Sequence, residues 1–502
     1  NGLLAIPKFG SLDPNGKSFK STLTEGTLTI NSNVNLTDNS DKFNGILMER
    51  ELVTINSGKT VTGNGKGLSM GSNSGASSNA ASGYINKGTV NITGGTTSSG
   101  VAGINVSYGR ILNDIGANVK VDNGAALYGT NGSTLQNKGT LTITGSGSAM
   151  AGLSKGTTNY GNSKVELINS NIINTIGKNS VGIYAESNKS GVAQSDIIIN
   201  NTGKISVSGD NSVGIVVKNS AANGGVVTLG GTGNSDIVTG KNGIGIYTED
   251  SKIVFNTDYG IETKDNGVGL YLTKTSNTVG NKVLNYKYSG STNGNGIATL
   301  YSGVNSSNNL NINLINSTNT TGGLVGIFAK GTGVFTNSGS IRGTSKEAEF
   351  GIVANNTNIV NNGSITLANA INLLKGNVGI FAQTSSSKIT NNANVTVGNN
   401  SIGLYGYNIV HNNGNITAGN NGIGIFSQGG NLSLIGGKIS VASAEAVGVF
   451  IAGNNQTISS TNSMTIGDTS YGFVIKGTNH NLTTNNAGGV NLGNDSVFIY
   501  SN

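Results

Sequence analysis

Cysteine and tryptophan are absent from this chain, and proline and histidine each occur only twice in its 502 residues. Without cysteine there is no disulfide framework and no thiolate metal site. The absence suits a cytosolic protein and equally an exported one that must cross a membrane unfolded. Two prolines exclude collagen and Pro-rich linkers. Charged residues are 11% of the chain and aromatics 5%, so ion-pair networks and charged helical faces cannot organise the fold. The net charge of +7 is spread thinly, with no run of five Lys or Arg, whereas a nucleic-acid groove needs clustered cations. No stretch reaches the roughly 18 consecutive apolar residues of a membrane-spanning helix. The chain opens at Asn1, with neither Met nor a signal-peptide pattern, which reads as a processed product or an excised piece.

What is abundant is glycine, 80 residues, together with Asn, Ser and Thr. The 35% of apolar residues arrives in regular packets of Ile, Val and Leu, which argues against disorder. No long stretch repeats apolar residues at helical spacing, and β-branched residues between Gly/Asn turns indicate strands.

The packets repeat. NSVGIY (179–184), NGIGIY (242–247), NGVGLY (266–271), NVGIF (377–381), NSIGLY (400–405) and NGIGIF (421–426) are variants of one phrase. Its central glycine is placed at 182, 214, 245, 269, 296, 326, 351, 379, 403, 424, 448 and 472, with Ser496 in the same role and looser copies at Gly45, Gly67, Gly103, Ala126 and Gly152. The spacing falls to 21–24 residues at its shortest. A second phrase lies between copies of the first: INKGTVNI (85–92), LQNKGTLTI (135–143), INNTGKISV (199–207), FTNSGSI (335–341), IVNNGSITL (359–367) and ITNNANVTV (389–397). Each unit therefore holds three short strands. Three strands in about 24 residues predict an all-β chain, a right-handed parallel β-helix with inserted loops. Eighteen coils at about 4.8 Å each would make a rod of roughly 85 Å. Ile423 and Ile425 are expected to point inward and the glycine between them outward, with the aromatic near a corner. The Asn of the second phrase is also expected at a corner, where it tolerates left-handed backbone or bonds to the Asn one coil away. A β-sandwich or barrel would not explain phrase identity at this period. Along one continuous solenoid we expect irregular coils over 1–158, longer insertions over 159–388 and regular coils over 389–502.

Catalytic constellations are weak. Asn256-Thr257-Asp258 matches one element of polygalacturonase-like sites, but no Asp pair follows, and general acid–base work needs converging titratable groups. His411 and His480 stand in Asn-rich segments and read as exposed corner residues. Around Ser496 and Ser212 there is no GDSG nucleophile pattern. The stretch from Gly230 to Ile237 is like the calcium nonapeptide with one residue inserted; such sites work in tandem, so a Gly-rich loop around Asp236 is the plainer reading. No catalytic residue, metal site or cofactor is expected, and the chain reads as a non-enzyme. Function in a solenoid resides in insertions, here Lys155–Lys164, Glu186–Asp196, Lys218–Asp236 and Thr273–Thr292. The last carries Tyr286 and Tyr288 beside Lys282 and Lys287, which are the candidate ligand-binding residues: Tyr offers a rigid face with a hydroxyl handle.

The two phrases, in a cysteine-free Asn/Gly/Ser/Thr-rich chain, resemble the passenger of large type V (type Va) autotransporter adhesins, especially those of fusobacteria. The resemblance covers nearly the whole chain, most clearly residues 159–502, and lies in scaffold rather than ligand contacts. It implies extracellular display at a bacterial surface, export through and anchoring by a C-terminal outer-membrane β-barrel that this chain lacks, and a monomeric adhesin. Its partners would be a host-cell receptor or glycan, or the surface of another bacterium. The competing readings are a purely structural stalk presenting a tip elsewhere and, behind it, a polysaccharide-active β-helix enzyme.

Overall fold

The computed structural model describes residues 10–12, 19–21, 27–36, 46–48, 52–65, 67–70, 82–94, 102–154, 164–187, 197–219, 224–291, 294–303, 305–316 and 323–502. Among them every regular element is a β-strand except one turn of 3-10 helix, Leu373–Lys375. The strands wind into a parallel β-solenoid of about 16 turns with about 26 residues per turn. The single antiparallel pairing among the described residues joins Gly10–Leu12 to Phe19–Ser21. Chain contacts separate two compact units, Asn1–Tyr259 and Gly260–Asn502.

One coil of the second unit illustrates the rest. Ile402–Tyr407 forms the first face, Ile409–His411 the second and Asn415–Ala418 the third. The corners between them are turned by residues in left-handed backbone: Asn400 (φ 54°) before the first face, Asn408 (φ 49°) after it and Gly414 (φ 84°) before the third. Asn tolerates this region better than other side chains and Gly without cost, which is why these two residues punctuate the sequence. Asn179, Asn211, Asn242 and Asn266 take the same conformation before the first-face strand of other coils. The turn is longer than the expected 24 residues because both corners and strands lengthen in some coils: the third-face strand Val283–Tyr288 has six residues where Ile365–Leu367 has three.

The interior departs from the expected alternation at the glycine. Ile425 is fully buried and lies in register with Leu404 on one side and Val449 on the other. Ile423, however, is only half-buried and faces outward, and Gly424 faces inward. A Cβ at Gly424 would stand 2.6 Å from the carbonyl oxygen of Gly448 and 3.2 Å from the Ile439 side chain. Two consecutive inward residues break the period of two, and only a residue without a side chain fits at the first of them. Strand register also revises three phrase assignments. Ala149 replaces Gly152, Ala298 replaces Gly296, and Phe498 rather than Ser496 occupies the glycine's place.

The Asn of the second phrase sits inside the solenoid and not at a turn's outer edge. In the first unit the side-chain amides of Asn86, Asn113, Asn137, Asn169 and Asn201, all fully buried, donate in sequence from one coil to the next at 2.7–2.9 Å. The series ends where Asn201 donates to Tyr259 Oη at 2.8 Å. In the second unit Asn308, Asn337, Asn361 and Asn391 form a like series at 2.8–2.9 Å. The other amide proton of Asn337 goes to the Gly339 carbonyl two residues on, 2.8 Å away. Every rung thus satisfies a polar group that would otherwise cost about 1–3 kcal/mol to bury.

Candidate functional site

Residues 155–163, 188–196 and 220–223 of the expected insertions lie outside the described residues. The Thr273–Thr292 insertion is described almost throughout and is built differently from a projecting loop. Val283–Tyr288 forms a third-face strand paired in parallel with Asn311–Asn316. Its alternation sends Leu284, Tyr286 and Tyr288 inward and Lys287 outward. Both tyrosines are fully buried. Tyr286 Oη lies 2.7 Å from Thr263 Oγ1 and donates to the Gly267 carbonyl at 3.1 Å. Tyr288 Oη lies 2.5 Å from Asp265 Oδ1 and 2.9 Å from the Ser291 carbonyl. Burial pushes both phenols well above their ordinary pKa. Glycines make the room: a Cβ on Gly296 would stand 2.3 Å from Tyr286 Oη. Both rings share one side of the strand, but that side is the core, so these tyrosines are packing residues and not a ligand surface. Lys287 pairs with Glu262 at 3.1 Å, and Lys282 is exposed at the strand's start. Of the four candidates only the two lysines reach the surface.

The other singled-out groups stand apart from one another. Asp258 is exposed at a corner. His411 is fully buried, against its expected exposure, at the end of a second-face strand. Its Nδ1 lies 3.2 Å from the Asn391 amide, so the histidine terminates the second asparagine series. Burial holds its pKa down to about 4. The Asp236 carboxylate is taken up by its own loop: it accepts from Thr232 N and Oγ1, both at 2.9 Å, and from Gly233 N at 3.1 Å. Three of the carboxylate's roughly four acceptor sites are thus taken by its own loop. Among the described residues no three His, Cys, Asp or Glu side chains converge to hold a metal ion.

The outward side of the first face carries a feature that was expected at a corner. Where an aromatic follows the phrase, as in Tyr184, Tyr247, Phe381, Tyr405, Phe426 and Phe450, it stands on the strand's outward side, half-buried against its neighbours in adjacent coils. In the second unit Phe381 and Tyr405 have ring centroids 5.0 Å apart, Tyr405 and Phe426 4.8 Å, and Phe426 and Phe450 4.8 Å with planes 11° apart. Gln428 donates to Tyr405 Oη at 2.6 Å. Beside this column runs a second one of Ile402, Ile423 and Val447. Together they make an apolar seam rimmed by polar side chains.

Two further features were not read from the sequence. Between the third and first faces the chain spends six residues, 344–349, and in the next coil ten, 368–377, where the two coils after that use four. In the six-residue corner Glu349 is fully buried. Its Oε2 accepts from Ser345 N at 3.2 Å while Oε1 has no hydrogen-bond partner, and burial pushes its carboxyl up to about 8. The ten-residue corner projects Ile371, Leu373 and Leu374. Its signal was present in the sequence as three large apolar residues in a position where other coils place Gly and Asn. No family model, curated protein or solved structure matches this chain.

Proposed function

We propose that this chain is the surface-displayed passenger segment of a bacterial adhesin, of the type Va autotransporter kind, attaching its cell to host cells or to other bacteria. The observation that carries this reading is the apolar seam on the first face, from Phe381 through Tyr405 and Phe426 to Phe450. A contiguous apolar strip with a polar rim on a soluble surface is characteristic of an interaction site. The rings take up one another's faces, so the seam offers ring edges and aliphatic tips. That surface suits apolar protein side chains better than the flat face of a sugar, and the preferred partner is a surface protein. Weak contacts repeated over coils and over many copies on a cell would add by avidity. A specific observation also favours the stalk reading: Tyr286 and Tyr288 are packed inside, leaving that insertion no aromatic surface of its own.

Beads coated with the chain decide between them. An adhesin gives saturable attachment to host cells or partner bacteria, competed by soluble chain and lost after the target surface is treated with protease. No attachment to any target, on beads whose β-rich circular-dichroism spectrum is intact, would leave the stalk reading. A glycan array on the same material reports whether a sugar is the ligand instead.

A further inference from the structure

The corner at residues 368–377 is an apolar finger held on a stiff base. Leu374 is 98% exposed, the most exposed large apolar side chain among the described residues, with Ile371 at 62% and Leu373 at 50% beside it. The segment is tied on both sides. Ile371 N donates to the Lys346 carbonyl of the preceding coil at 3.0 Å and Ala348 N to the Lys375 carbonyl at 2.8 Å. From the following coil Asn400 Nδ2 donates to the carbonyls of Ala370 and Ile371 at 2.9 and 3.2 Å. Asn372 caps the single helical turn by accepting from Lys375 N at 3.0 Å. Below it Asn377 is fully buried, accepts from Glu349 N and donates to the Ser345 and Ala368 carbonyls. The exposure of three large side chains is therefore built in by at least six hydrogen bonds and carries an ordering cost already met before any partner arrives.

The charge around the finger is one-sided. From Asn266 to Ala444 the sequence holds nine Lys and Arg and only two carboxylates, Glu347 and Glu349. Both carboxylates are buried. Glu347 is spent on Lys375, 3.3 Å away, while Lys346 stands exposed at the finger's base. This stretch thus carries an excess of cations, although Lys375 and Lys287 are paired with carboxylates and the exposed Glu445 stands in the equivalent corner three coils on. A second copy of the chain is a poor occupant, because two such surfaces repel. A nucleic acid offers nothing for Leu374 to enter. An anionic bilayer offers both required elements within a few ångström: an apolar acyl boundary for the finger and a negative headgroup layer for Lys346 at its base.

We propose that the finger Ile371–Leu374 inserts into the interfacial layer of an anionic lipid membrane, with Lys346 against the headgroups. This site is separate from the first-face seam and does not depend on the adhesion reading.

Vesicle co-sedimentation tests it on the whole chain. Binding is expected to vesicles of phosphatidylcholine with one third phosphatidylserine, and to weaken at least tenfold for phosphatidylcholine alone or at high salt. Leu373→Ser with Leu374→Ser should lower the partition onto anionic vesicles about tenfold, and Lys346→Gln several-fold, with unchanged melting, since these side chains are exposed. Because the chain has no cysteine, Leu374→Cys gives a single attachment point for an environment-sensitive dye. Its emission should shift to the blue on adding anionic vesicles, while the same dye at Thr396→Cys, on the third face, should not respond. Equal binding by the double Leu variant, no binding to anionic vesicles, equal binding to neutral ones, or a dye at 374 that stays in water would each overturn the proposal.

Discussion

The side-chain amide of Asn391 stands 3.2 Å from Nδ1 of His411 in the closed interior of the second unit. An amide NH2 can only donate, so Nδ1 must accept and the imidazole is neutral, with its proton on Nε2. Protonating Nδ1 would set two donors against each other in a buried site. The sign of the pH effect follows. The folded pKa of about 4 lies below the ordinary 6.5, so the folded state holds fewer protons between those values. The stability present above pH 6.5 is lost as pH falls toward 4, by about 2–4 kcal/mol. His411→Asn, which offers the next rung of the series, should retain more of its neutral-pH melting temperature at pH 4.5 than the native chain does. Parallel pH profiles for the two proteins would sink the assignment.

Glu349 works in the opposite sense. Its folded pKa of about 8 lies above the ordinary 4.5, so the folded state holds more protons across that window. Its contribution is intact below pH 4.5 and lost as pH rises through 8, by about 3–5 kcal/mol. Glu349→Gln keeps an acceptor for Ser345 N and has no proton to lose. The variant should melt higher than the native chain at pH 9 and nearly alike at pH 5. A variant that is less stable at pH 9 would mean that the carboxylate is stabilised by a partner.

Gly424→Ala tests the close approach between coils. The new methyl would meet the Gly448 carbonyl oxygen at 2.6 Å, backbone that cannot move without shifting its coil, at a cost of about 1–3 kcal/mol. In a solenoid each coil contacts only its neighbours, so amide exchange should accelerate within about one coil of Gly424 and stay unchanged in the first unit. Native-like exchange around Ile425 and Val449 would show that the position has room for a side chain.

Much of the architecture was legible because the repeat is short and its corners are chemically marked. Asn400, Asn408 and Gly414 announce turns wherever they fall, and the Ile/Val/Leu packets between them are too short for helices. What misled was alternation. Counting by twos from Ile423 placed Gly424 outside, since a sequence does not display the strand irregularity that turns two successive residues inward. Alternation puts Tyr286 and Tyr288 on one side and Lys287 on the other, but the pattern has no sign: only the neighbouring coils decide which group is inside. The buried Asn series was half visible. Its members recur in INKG, LQNKG and IVNNG, yet a polar residue in a dry interior becomes acceptable only once an identical residue is stacked one coil away.

The sequence by itself determined that this protein is a β-solenoid and, for most copies of the phrase, which residues recur at equivalent positions. Those properties depend on local backbone preference and on period, both carried by near neighbours in the chain. Only the tertiary structure decided that Tyr286 and Tyr288 are core residues, that His411 and Glu349 are buried, that the first-face aromatics form an outward seam, and that Ile371, Leu373 and Leu374 stand in solvent. Each of these depends on what lies one coil above and below, some 20–30 residues away along the chain, and burial is a property of that company and not of the residue.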